Sequence, residues 1–214
     1  MTRRAAALAA VALAAALPLA LPAAGQEEKP AGTKYHFGVG ASRTTILFES
    51  ETSLETIHGT CRAMSGTAIF DGEKGTVDFK VPVKEMKTGV PLRDEHLHGE
   101  DWLHEAKYPE IAFKAALKRS KVDEETKKET WAYDGEITIR GVTKALKGEA
   151  TVQKIPEDLG KKLGEGSWIK VKTAFPITIK EFGIEVPDVA AAKVSPTWDV
   201  KVDIFGTTVL PEKK

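Results

Sequence analysis

The stretch Ile169-Lys170-Val171-Lys172-Thr173-Ala174-Phe175-Pro176-Ile177-Thr178-Ile179 decides the fold. Ile169, Val171, Thr173, Phe175, Ile177 and Ile179 hold one parity, and the residues between them are mostly polar or small. Successive side chains of a strand point to opposite faces, so this pattern gives one dry face and one wet face. A helix would scatter the same residues around its circumference. The run therefore reads as a long strand in an antiparallel sheet.

The same period recurs on both sides of it. Val77, Phe79, Val81 and Val83 alternate with Asp78, Lys80 and Pro82. Ile111 and Phe113 flank Ala112, and Leu117 keeps their parity. Ile137 and Ile139 alternate with Glu136, Thr138 and Arg140, and Leu146, Gly148, Ala150 and Val152 with Lys147, Glu149 and Thr151. Trp198, Val200, Val202 and Ile204 alternate with Asp199, Lys201 and Asp203. With weaker runs near 35–39, 44–49 and 57–63, roughly eight to nine strands are predicted. Turn signals separate them: Asp71-Gly72, the polar tip Lys121 to Thr130, the tight link Arg140-Gly141, and a longer loop from Pro156 to Gly166. Many short strands at regular spacing predict a sandwich or a closed barrel. Closure removes unpaired edges, and about eight strands leave an interior that side chains fill or one ligand occupies.

One segment breaks the period. Pro91 to Tyr108, PLRDEHLHGEDWLHEAKY, spaces Leu92, Leu97, Trp102 and Leu103 by one to five residues among charges. It predicts a short helical insertion around 91–106, divided at Gly99. Such a long connection between strands is either a functional lid or a plug for the barrel end.

The chain has 214 residues, with 31 basic and 31 acidic side chains, five His and one Cys. Met1-Thr2-Arg3-Arg4 is basic, Ala5 to Leu17 is apolar, and Ala23-Ala24-Gly25 is small. That order reads as a secretory signal peptide over residues 1–25, cut near Gly25/Gln26, followed by a polar lead-in over 26–33 that is expected to be disordered. The adjacent arginines fit a general or a twin-arginine route. The cut leaves 189 residues with 29 basic and 31 acidic side chains, a net charge of −2. This balance gives no footprint for nucleic acid. No later stretch reaches the ~18 apolar residues of a membrane span. The processed chain is thus expected to be a soluble periplasmic or secreted protein, not integral to the membrane, with one domain over 34–210. Cys61 has no partner for an internal disulfide.

Catalytic signals are weak. His96, His98 and His104 lie near Glu95, Glu100, Asp101 and Glu105, but not in the His-Glu-x-x-His pattern of a metalloprotease. There is no Gly-x-Ser-x-Gly elbow and no Gly-rich phosphate loop. Cys61 reads as a small, partly buried hydrophobe. No metal, cofactor or catalytic residue is predicted. The strongest remaining feature is the dry face itself, which carries Phe48, Phe70, Phe79, Phe113 and Trp198. From the residues alone, these side chains either pack as an ordinary core or line a cavity.

Several segments in order resemble the YceI-like family of exported polyisoprenoid-binding proteins. They are Thr88-Gly89, Arg93-Asp94-Glu95-His96-Leu97, Asp101-Trp102-Leu103 and Tyr108-Pro109-Glu110-Ile111-Ala112-Phe113. Gly135 to Lys144 (GEITIRGVTK) and Phe182-Gly183-Ile184 continue the likeness. The family's aromatic pair after Asp is here Trp102-Leu103. The resemblance implies an all-β fold, an eight-stranded antiparallel lipocalin-like barrel around an elongated apolar cavity. It implies a long isoprenoid or other lipid chain as ligand, for carriage, storage or sequestration, without catalysis. Phe48, Phe79, Val81, Ile111, Phe113, Ile137, Ile139 and Trp198 are the expected lining. Arg93, His96 and Arg140 are the expected residues of the mouth and head group. The alternatives are a metal-dependent enzyme using the Arg93–His104 cluster and a secreted interaction module with a filled barrel.

Overall fold

A computed structural model describes residues 32–39 and 43–210. The predicted signal peptide and most of the lead-in lie outside the described residues. Eleven strand segments form one antiparallel sheet that closes on itself. They are β1 (Thr33–Phe37), β2 (Thr44–Glu51), β3 (Thr56–Cys61), β4 (Ser65–Asp71), β5 (Lys74–Pro82), β6 (Met86–Lys87), β7 (Glu110–Val122), β8 (Lys128–Ile139), β9 (Val142–Lys154), β10 (Trp168–Thr178) and β11 (Thr197–Thr207).

The eleven segments make eight staves. β1 and β2 both pair with β11, His36 opposite Thr207 and Ile204 opposite Thr44, so they are two halves of one stave. β3 and β4 form the second, pairing with β2 and β1. β5 and β6 form the third, broken by the 3-10 turn Val83–Glu85. From there β7, β8, β9, β10 and β11 follow in chain order, each paired with its predecessor. Neighbours in sequence are neighbours in space, and among the described residues the pairing of β1 and β2 with β11 closes the ring, leaving the two-residue β6 with a partner on one side. The alternation left a sandwich and a closed barrel open; the structure is the closed form, the eight-stranded antiparallel barrel that the resemblance implies.

The period-two runs account for the strands directly. In β10 Val171, Thr173, Phe175 and Ile177 face inward, while Lys172, Ala174, Pro176 and Thr178 are exposed. The β8–β9 link is a two-residue hairpin with Ile139 opposite Val142. Arg140 (φ 50°) and Gly141 (φ 74°) both take positive φ, as a turn matching the strand twist requires.

The insertion forms helix α1 (Pro91–His98), with Pro91 in the first turn and Gly99 as its C-cap. Asp94 reaches back to accept hydrogen bonds from the backbone N–H and hydroxyl of Thr88. Leu97 and Leu103 are the insertion's buried residues and cover one barrel end. The stretch read as a loop after Pro156 instead holds a second helix, α2 (Glu157–Leu163). Glu157 and Asp158 sit in its first turn and Lys161 and Lys162 in its last, which suits the helix dipole. Pro156, Gly160, Gly164 and Gly166 masked that signal. Trp168 packs beside α2 and donates to the Gly164 carbonyl at 3.2 Å.

Candidate functional site

Inward-facing residues are not equally buried along a stave. On β10 Ile169 and Ile177 are buried, while Val171, Thr173 and Phe175 between them are partly accessible. On β11 Trp198 and Ile204 are buried, and Val200 and Val202 between them are not. A strand crossing a solid core would bury its middle most. Here the packed layers lie at the two ends. One gathers Phe48, Ile137, Ile139, Phe182 and Trp198 beneath α1, and the other Phe37, Trp131, Tyr133, Ile169 and Ile204. The accessible middle encloses a cavity of about 170 Å³. That space accommodates about six water-sized groups at roughly 30 Å³ each.

The structure places all eight expected lining residues on this cavity's wall. Phe79, Val81, Ile111 and Phe113 lie on the β5–β7 side, where Phe79 faces Phe113 and Val81 faces Ile111 across the ladder. Ile137 and Ile139 come from β8, Phe48 from β2 and Trp198 from β11. Among the described residues, the wall carries no charged side chain.

Its few polar atoms are nearly all engaged. The Thr173 hydroxyl donates to the Glu149 carbonyl at 2.9 Å, and the Tyr133 hydroxyl lies 3.4 Å from Thr173 Oγ1. Trp131 donates to Glu129 at 2.9 Å. Cys61 donates its thiol proton to the Ala63 carbonyl at 3.2 Å. Burial pushes the Cys61 thiol up from its ordinary value, so it is held protonated and unreactive.

The wall stays thin because large rings lie flat on glycines of the next strand. Phe37 pairs with Gly206, Phe48 with Gly59, Phe79 with Gly66 and Tyr133 with Gly148. At each of these glycines a Cβ would sit 2.7 Å or less from the facing ring or its hydroxyl. Sequence alternation does not disclose these pairs, since they depend on cross-strand register.

The expected mouth residues surround the insertion end. Arg93 in α1 pairs with Glu55 in the β2–β3 turn, Nη2 to Oε1, at 2.7 Å. Arg140 donates to the carbonyls of Gly183 and Glu100, the latter at 2.7 Å. It thus ties the insertion to the 3-10 turn Ile179–Phe182 and its C-cap Gly183. His96 is exposed on α1. The neighbour His98 makes the bond that shapes the segment, its Nε2 donating to the Met86 carbonyl at 2.9 Å. The shape-fixing hydrogen bond expected of His96 is thus made by His98, two residues on. His104 lies 3.8 Å from Glu100, and among the described residues no three His, Cys, Asp or Glu side chains form a group able to hold a metal ion.

Known proteins share this architecture. A polyisoprenoid binding domain from Saccharophagus degradans, implicated in plant cell wall breakdown, superposes with a TM-score of 0.62. It is 13% identical, with 82% of this chain and 98% of that one covered. BcnA of Burkholderia cenocepacia superposes with a TM-score of 0.61 at 16% identity, over 79% of this chain and 99% of that one. By sequence, protein YceI of Escherichia coli O157:H7 is 32% identical over 135 residues, 60% of this chain and 64% of that protein. A UPF0312 protein of Pseudomonas savastanoi pv. phaseolicola is 28% identical over 159 residues, 70% of this chain and 73% of that protein. The YceI-like domain model matches residues 37–205, from the last residue of β1 almost to the end of β11. The match spans the eight-stave barrel and the insertion that covers its end, and the chain belongs to the YceI-like family.

Proposed function

We propose that the barrel holds the apolar chain of a lipid-like amphiphile, for carriage, storage or sequestration, and performs no chemistry on it. The observation that carries this reading is the accessible waist between two packed ends, walled without charge. Water gains little in such a space, whereas each methylene brought into it contributes about 0.8 kcal/mol. About six methylenes, as many as the waist holds, supply roughly 5 kcal/mol, before the costs of ordering the chain. Polyisoprenoid is the leading ligand class, because the Saccharophagus degradans relative is a polyisoprenoid binding domain.

The basic, apolar and small-residue order of residues 1–25 supports export to the periplasm or beyond. Among the described residues no helix is long and apolar enough to cross a membrane. An exported protein that shields a chain from water supplies what an aqueous compartment lacks. Arg93 and Arg140 spend their hydrogen bonds on Glu55, Glu100 and Gly183. Their part in this reading is to hold the insertion over the barrel end that admits the ligand.

Native mass spectrometry of protein purified from its own host tests the proposal. A stoichiometric co-purified lipid is expected, together with saturable binding of long-chain fluorescent probes. Finding neither would overturn it. N-terminal sequencing of the exported protein should begin at Gln26.

A further inference from the structure

Among the side-chain donors of the residues that line the cavity, one is without a partner. The wall's side-chain donors are those of Cys61, Trp131, Tyr133, Thr173 and Trp198. The first four have acceptors or partners within the protein. The indole N–H of Trp198 is buried and has none among the described residues. Trp198 is only 7% exposed. A buried donor without an acceptor costs free energy, and most such groups turn out to have a partner.

The setting of this ring is specific. Trp198 stacks on Phe48, centroids 5.6 Å apart, and on Trp102 of the insertion at 6.3 Å. Trp102 is half-buried and is not on the cavity wall. Trp198 therefore stands between the cavity and the insertion, at the end where Arg140 and Arg93 are already engaged.

From this census we propose that Trp198 donates its indole N–H to an uncharged oxygen of the ligand, such as an ester, ketone or ether. The assignment rests on the lipid-binding reading and narrows it. The cargo is a neutral amphiphile, oriented with its oxygen beneath α1 and its chain along the waist. A phosphate or carboxylate head does not suit this place, because the wall offers it no cation and its other four donors are already engaged. The N–H is shielded by its surroundings, so binding requires a shift of the rings stacked on Trp198, those of Phe48 and Trp102.

The test compares hexadecyl acetate, an alkane of matched length and hexadecyl phosphate as competitors of a bound fluorescent chain. Wild type and Trp198→Phe are both measured. The acetate should compete about five- to tenfold better than the alkane in wild type, the size of one neutral hydrogen bond. In Trp198→Phe that preference, read as the ratio of acetate to alkane competition within the variant so that any change in chain binding from the smaller ring cancels, should fall to within about twofold. The indole proton of Trp198 in nitrogen-15 spectra should move downfield with the acetate and not with the alkane. A preference that survives in Trp198→Phe, or equal competition by acetate and alkane in wild type, overturns the assignment alone. Tighter binding of the phosphate overturns the neutral class. If no chain binds at all, the lipid reading fails and this assignment with it.

Discussion

Phe48 lies directly opposite Gly59 in the β2–β3 ladder, and a Cβ on Gly59 would sit 2.0 Å from the ring's Cζ. The ring therefore occupies the volume that a side chain on the next strand would need. It is also the ring on which Trp198 stacks. Three links meet in this pair: the register that places glycine opposite phenylalanine, the flat packing that follows, and the cavity that flat packing leaves open.

Gly59→Ala should displace the Phe48 ring, because the clash is with a side chain that can rotate. The cavity and the Trp198 stack both lie on that side of the wall. The variant is expected to lose about 1–3 kcal/mol of stability, as overpacked cores do. Its binding of long-chain probes should weaken as the ring takes lumen space. Urea unfolding and probe titration measure the two effects. Adding Phe48→Leu to Gly59→Ala should recover part of the stability. No loss in Gly59→Ala would show that the ring does not lie on the glycine.

Arg140 combines an unfavourable backbone with a useful side chain. Its φ of 50° costs a non-glycine residue about 1–2 kcal/mol, less for Asn. Its guanidinium bonds two carbonyls, those of Gly183 and Glu100. Arg140→Asn separates the two, keeping the turn and removing the latch. The charge-assisted bonds, roughly 1.5–3 kcal/mol each at most, are reduced at an exposed site, so a net loss of about 1 kcal/mol is expected. Hydrogen exchange should accelerate in α1 and the following turn, with the hairpin amides of Val142 and Ile139 unchanged. Unaltered exchange in α1 would show that the latch does not hold the insertion.

Asp94 gives the insertion an acid limit. Burial pushes its carboxyl upward, but the hydrogen bonds from the hydroxyl and N–H of Thr88 outweigh that and hold it below the usual carboxylate range. A group depressed in the folded state stabilises above its unfolded value, about 4, and that stability is lost as pH falls through the folded value. Wild type should therefore exceed Asp94→Asn in melting temperature near pH 7, and the gap should close progressively below about pH 4. A gap independent of pH would contradict the assignment to the charged form.

Much of this was legible in the chain because the barrel obeys a local rule. Ile169 to Ile179 keeps one parity through an entire stave, and the eight expected lining residues do stand on one continuous wall. Other features answer to distance, not pattern. That β1 and β2 belong to one stave follows only from their shared partner β11. His98 rather than His96 meets the Met86 carbonyl because of where the 3-10 turn Val83–Glu85 sets β6. The glycines beneath Phe37, Phe48, Phe79 and Tyr133 are scattered in sequence and aligned only by register.

Val77→Phe asks whether the waist is working space or unfinished core. Val77 lines the cavity and faces Ala68 on β4 and Ala115 on β7. Both neighbours are small, so an added ring has room to lie toward the lumen without displacing a side chain. Burying four extra carbons is worth up to roughly 3 kcal/mol, offset by about 1–3 kcal/mol of packing strain, so a net gain of about 1 kcal/mol is expected, or a shift of roughly 2–4 °C in Tm for a domain of this size. The same ring should lower the affinity for long-chain probes at least tenfold, because it fills the volume that about four methylenes would take. Higher stability with lost binding is the signature of a cavity kept open for a ligand. A fall in Tm would instead show that the space beside Val77 is already packed, and unchanged binding would place the chain elsewhere.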